Sequence, residues 1–182
     1  MAWAFAREIQ AAAALDFSFH QGGLAWASGV NADVSWPRIL AARMTSDQLF
    51  EVARPTEGIR LCSGGSPPDI SIVASAFQFD GQSQHVVVDG GVTIETAVQL
   101  LVIPNQLAAI QRHQNFAGPV LCVVRPSDVP TSIVRSTLAG SQVTFLKQES
   151  TISKSLRLGY GIPRTRALSR AINSCLRDLN LQ

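Results

Sequence analysis

The feature that most constrains the fold is the stretch from Gln84 to Lys147, where short apolar runs alternate with helix-forming segments. His85-Val86-Val87-Val88 stops at Asp89-Gly90-Gly91, and a helical pattern follows. A second apolar run, Val120-Leu121-Cys122-Val123-Val124, leads through another short helical segment to an alternating stretch at Gln142–Leu146. Val-rich runs bounded by Gly, Pro and Asp read as strands, and helix-length segments between strands read as crossovers in a sheet. The pattern predicts a β-α-β-α-β core in an α/β chain. It implies a small three- to five-stranded mixed sheet, an N-terminal helical layer and a C-terminal amphipathic helix.

The flanking segments are assigned by the same reasoning. Met1–Asp16 reads as a helix, because alanine is the best helix former. Phe17–His20 reads as a short strand ending at a Gly22-Gly23 turn, with irregular chain to Val34. Ser35 with Pro37, and Thr45 with Gln48 at capping-box spacing, predict helices over Pro37–Met44 and Ser46–Ala53. A strand is expected at Gly58–Cys62, and Ser63–Pro68 breaks the chain. Asp69–Phe79 should pair through Asp80-Gly81 with the strand before Asp89.

After Gly91 the chain either continues a meander or enters a helix. Propensity favours a helix from about Thr93, broken by Pro104, with a more polar one over Asn105–Gln114. Thr131 is expected to cap a helix ending near Leu138. Ser150–Leu158 is expected to be helical and closed by Gly159 and Gly161. The segments divide as 1–62, 69–147 and 148–182, within one compact domain.

Composition narrows the class. Apolar residues make up 46% of the chain and charged residues 15%, enough apolar surface to offset the entropy of ordering. No apolar run approaches the roughly 18 residues of a membrane span. The N-terminus lacks the basic region of a signal peptide. The three cysteines are odd in number and widely spaced, as suits reduced core thiols. The expectation is a cytoplasmic protein without a membrane partner.

Charge is divided unevenly along the chain. Residues 1–130 carry a net −4, whereas residues 131–182 carry a net +6. Within the basic part, Leu168, Ile172, Cys175, Leu176 and Leu179 share one face of a helix over Pro163–Leu181. Arg166, Arg170, Asn173 and Arg177 line the opposite face. Six of the twelve aromatic residues fall within the first 36 positions, as a local core or as a surface for other subunits.

Two places could carry chemistry. In an open α/β sheet, ligands bind outside the carboxyl ends of the strands. Those ends place Asp89, Arg125 and Lys147 as candidate catalytic residues toward an anionic, phosphate-bearing substrate. His20, His85 and His113 lack ligand spacing, so no histidine metal site is expected, and no motif names a cofactor. The second place is the basic helix, where Arg164, Arg166, Arg170 and Arg177 could contact the phosphates of a nucleic acid.

Over His85–Leu101, the order of strand, Asp-Gly and helix resembles the Asp-Gly-Gln-His-Arg segment of ParB-like and DGQHR-type DNA-associated proteins. The likeness spans fewer than twenty residues. This chain has Asp89-Gly90-Gly91-Val92-Thr93, without the His and Arg that carry that chemistry, so no role is transferred.

The leading expectation is therefore a non-enzymatic nucleic-acid-binding protein that uses its basic C-terminal helix and assembles as a homo-oligomer. The alternatives are a small enzyme acting at Asp89, Arg125 and Lys147, and a self-assembling coat or scaffold subunit.

Overall fold

A computed structural model describes residues 1–17, 23–29, 55–63, 85–90 and 98–181. The chain is α/β, as expected, and divides into two compact units. Residues 1–95 and 153–163 form the first unit; residues 96–152 and 164–182 form the second.

The described part of the first unit contains α1 (Ala2–Glu8), β1 (Ala13–Asp16), α2 (Gly23–Ser28), β2 (Pro55–Thr56), β3 (Ile59–Cys62) and β4 (Val86–Asp89). The strands lie in the order β2-β3-β1-β4. Both β3 and β4 run parallel to β1, and β2 joins β3 as an antiparallel edge through Glu57-Gly58. Trp3, Ala4, Phe5 and Ala6 are consecutive and all buried, so α1 is enclosed around most of its circumference, whereas Leu24 and Ala27 bury one side of α2.

The predicted helix over Met1–Asp16 is therefore corrected. It ends at Glu8; Gln10 follows with φ 50°, and Ala13–Asp16 becomes the central strand. All four residues of β1 are buried, with a parallel strand on each side. Small side chains suit that crowded position, and the gain from sheet pairing and burial exceeds the few tenths of a kcal/mol by which alanine favours helix. Another correction concerns Gly23, which opens a helix rather than closing a turn.

The second unit contains β5 (Leu101–Pro104), α3 (Leu107–Arg112), β6 (Pro119–Val124), α4 (Thr131–Thr137), β7 (Gln142–Lys147) and α6 (Arg166–Asp178). Helix α5 (Ser150–Arg157) runs from this unit into the first. Strands β5, β6 and β7 form a parallel sheet in sequence order, so α3 and α4 are its crossovers.

The β-α-β-α-β core expected from the sequence is present, but its first strand is Leu101–Pro104. Val86–Asp89, expected in that position, pairs with β1 instead. The helix predicted from Thr93 to Pro104 is likewise corrected: Leu101–Pro104 is strand, while residues 91–97 lie outside the described set. The run Leu101-Val102-Ile103 suits a strand, and the proline ends it.

Packing in this unit follows the two-residue period of the strands. Ile103, Val120 and Cys122 meet Ile110 of α3 and Val134 and Leu138 around α4. Leu121 and Leu146 are buried, and Thr144 donates to Ser174 of α6 at 3.2 Å, so α6 covers the other face. Thr131 does not cap α4. It is the helix's first residue, and Pro130 precedes it as N-cap without a side-chain bond.

The predicted helices over Pro37–Met44 and Ser46–Ala53, and the hairpin at Asp80-Gly81, lie outside the described residues.

Candidate functional site

At the carboxyl edge of the first sheet, strand order reverses at β1: the chain passes to β3 on one side and later to β4 on the other. Such a switch point is where open α/β sheets leave a crevice. Asp16 ends β1 and is only 2% exposed. Its Oδ2 accepts from the Leu24 N–H of α2 at 3.1 Å and from the Ser63 hydroxyl at 2.8 Å. Ser63 Oγ also accepts from the Ala25 N–H at 3.4 Å. The first turn of α2 is thus closed by the chain's own carboxylate.

Asp89 stands beside Asp16 in the β1–β4 register, and its backbone oxygen accepts from the Phe17 N–H. Burial pushes the Asp89 carboxyl above the usual range; the Met1 amino group opposes that shift, and Asp16 adds to it. Burial and the neighbouring Asp16 push the Cys62 thiol up to about 12. The sequence reading found Asp89 but not Asp16 or Ser63, because Asp16 fell at the end of an assumed helix.

The carboxyl edge of the second sheet is organised by Asn105, which is 1% exposed. Its Oδ1 accepts from the Arg125 N–H at 2.8 Å. Its Nδ2 donates to the carbonyls of Arg125 and Val129 at 3.1 and 2.9 Å. The backbone of Asn105 adds bonds to Val123 and Val129. This side chain fixes the loop after β6 and with it the backbone of Arg125.

Lys147 ends β7, paired in register with Val124, so Arg125 and Lys147 share this edge, both exposed. Asp89 belongs to the first unit, and Arg125 and Lys147 belong to the second. Among the described residues, no group of three or more His, Cys, Asp or Glu side chains could hold a metal ion.

The third feature is α6. Thr165 caps it, accepting from the Leu168 N–H at 3.2 Å and donating to Glu149 at 2.8 Å. Leu168, Ala171, Ile172, Cys175 and Leu176 are buried against the sheet; four of these are on the face predicted from the sequence, whose fifth member, Leu179, is half-buried at the C-cap. Arg166, Arg170 and Arg177 are exposed. At 100° per residue they fall within about 40° of one another, and they span roughly 16 Å of the helix axis. Arg164 is exposed just before the cap.

The chain's fold is similar to that in the crystal structure of a ParA family ATPase from Chlorobium tepidum TLS. The TM-score is 0.64 at 17% sequence identity, covering 95% of this chain and 89% of that one. The likeness is one of fold. No protein-family model matches the chain, and no curated protein matches it in sequence. Among the described residues, no helix is long and apolar enough to cross a membrane.

Proposed function

We propose that this protein binds nucleic acid without catalysing a reaction, using the arginine face of α6 against the phosphate backbone. The observation that carries the reading is an exposed stripe of Arg166, Arg170 and Arg177 on a helix whose other face is fastened to a sheet. A docked helix holds its cations in a fixed row, so binding a polyanion costs little additional ordering.

Helix stability alone does not account for this placement. Arg166 occupies the first position of α6, and the first turn holds no acid. The helix dipole disfavours a cation there by several tenths of a kcal/mol. From α5 to Arg177 the chain carries six cations and no Asp or Glu.

The non-enzymatic part of the reading rests on the other unit. The structural neighbour is an ATPase, but this sequence contains no Gly-x-x-x-x-Gly-Lys-Ser/Thr motif for cradling a phosphate. The Asp16 carboxylate also occupies the first turn of α2, where it would repel an incoming anion.

Binding of a fluorescent duplex at low salt provides the test. Arg166→Glu with Arg170→Glu is expected to lower affinity about tenfold or more, with thermal stability no lower than that of wild type. A wild-type protein that binds no nucleic acid at low salt would overturn the proposal.

A further inference from the structure

The first unit presents a second feature suited to nucleic acid. Tyr160 is the chain's only tyrosine and is 76% exposed. Its backbone is held on both sides. Gly159, with φ +76°, ends α5 by donating to the Leu156 carbonyl, and the Tyr160 N–H donates to Ser155 at 3.0 Å. These two bonds form the Schellman closure of a helix.

In that motif the residue at the Tyr160 position often folds back onto its helix. Here it faces Ser155 across the closure, and the ring stays in solvent.

On its other side the segment lies against the end of α2. A Cβ on Gly161 would stand 2.6 Å from the Ser28 carbonyl carbon, and one on Gly29 would stand 2.7 Å from that of Tyr160. The Ile162 N–H donates to the Ala27 carbonyl at 2.7 Å. Trp26, 54% exposed, lies in α2 three residues before Gly29, where the Tyr160 backbone makes its close approach. Lys154 and Arg157, both exposed, lie in the last turn of α5 that leads into Tyr160.

We infer that Tyr160 and Trp26 form a stacking platform for the bases of single-stranded nucleic acid, with Lys154 and Arg157 receiving the adjacent phosphates. Two aromatic rings on braced backbone, flanked by cations, suit exposed bases on a charged strand; paired bases in a duplex keep their faces covered. The charge selects this occupant over another apolar protein surface, because α5 carries two cations and no acid. This inference rests on the nucleic-acid reading above and assigns it a strand preference and a second contact region.

The experiment measures binding of labelled oligothymidine and of a duplex by fluorescence anisotropy, for wild type, Tyr160→Ala, Trp26→Ala, Tyr160→Phe and Arg166→Ala/Arg170→Ala. Circular dichroism confirms that each variant is folded. Tyr160→Ala and Trp26→Ala should each weaken oligothymidine binding roughly tenfold, the order expected for one stacked base. Duplex affinity should stay within about twofold of wild type, and Tyr160→Phe should retain oligothymidine binding, since stacking needs the ring and not its hydroxyl.

Unchanged oligothymidine binding in both alanine variants would overturn the platform. If the α6 arginine variant still lost affinity, the nucleic-acid reading would survive alone. A wild type that binds neither probe would overturn both. Loss of a dimer in Tyr160→Ala, seen by light scattering without any change in binding, would assign the surface to a second copy and also overturn the platform.

Discussion

The most constrained side chains are buried polar groups whose partners lie far away in sequence. Asn105 reaches Arg125 and Val129, and Asp16 reaches Ser63. Asn105→Ala would leave the Arg125 N–H and the Val129 carbonyl without their side-chain partner, while the Arg125 carbonyl keeps its bond from the Asp128 N–H, at a cost of about 1–3 kcal/mol. Chemical denaturation should register that loss, and a change within the error of the measurement would contradict it. Asp89 couples a residue to pH. Its folded-state pKa is raised, chiefly by burial, so its contribution to stability is full below the usual Asp range and is lost as pH rises through the raised value. At neutral pH the ionised carboxylate opposes folding. Asp89→Asn should therefore melt higher than wild type there, and the difference should close as the solution is acidified. Equal melting temperatures at neutral pH would argue against this. None of these partnerships was legible in the sequence, because Asp and Asn at strand ends look alike whether they face solvent or bind a distant loop. Asp89 was found because an Asp-Gly pair marks a strand end locally; Asp16, after a run of alanines, carried no such mark.

Among the elements, those whose periodicity and propensity agreed were read correctly. For α6, apolar spacing and basic spacing identified the same two faces, and the structure buries the first and exposes the second. Segments β6, β7 and α5 combine a consistent pattern with clear terminators, and their positions match the expectation closely. The failures occurred where propensity and environment disagreed. The alanines of β1 favour helix in isolation but lie at the centre of a parallel sheet, where little room remains beside the chain. Leu101–Pro104 was attached to a helix because Glu95–Leu101 contains strong helix formers, although the strand begins at Leu101. The faces of α6 also make separate predictions. Ile172→Ala removes a fully buried side chain and should cost about 2–5 kcal/mol, whereas Arg170→Ala should remain within about 0.5 kcal/mol of wild type. Equal destabilisation by the two substitutions would mean that the basic face supports the fold.

For the whole molecule, an α/β framework similar in fold to a ParA family ATPase carries a sequence without the lysine-bearing phosphate loop, and a carboxylate stands at the first turn after its central strand. The fold class was legible from the alternation of apolar runs and helix formers. The division into two sheets was not, because it depends on which strand pairs with β1, and the Val-rich run at 86–88 would suit either sheet. Charge distribution was legible throughout, since it requires only counting, and it places the cations where α6 presents them. The most direct test of the central claim is the salt dependence of duplex binding for wild type and for Arg166→Ala, Arg170→Ala and Arg177→Ala. Binding through phosphate contacts predicts a steep fall in affinity with salt, and each substitution should reduce the slope of log K against log salt concentration by about one. Slopes and affinities that match wild type in all three variants would contradict a phosphate-binding role for α6.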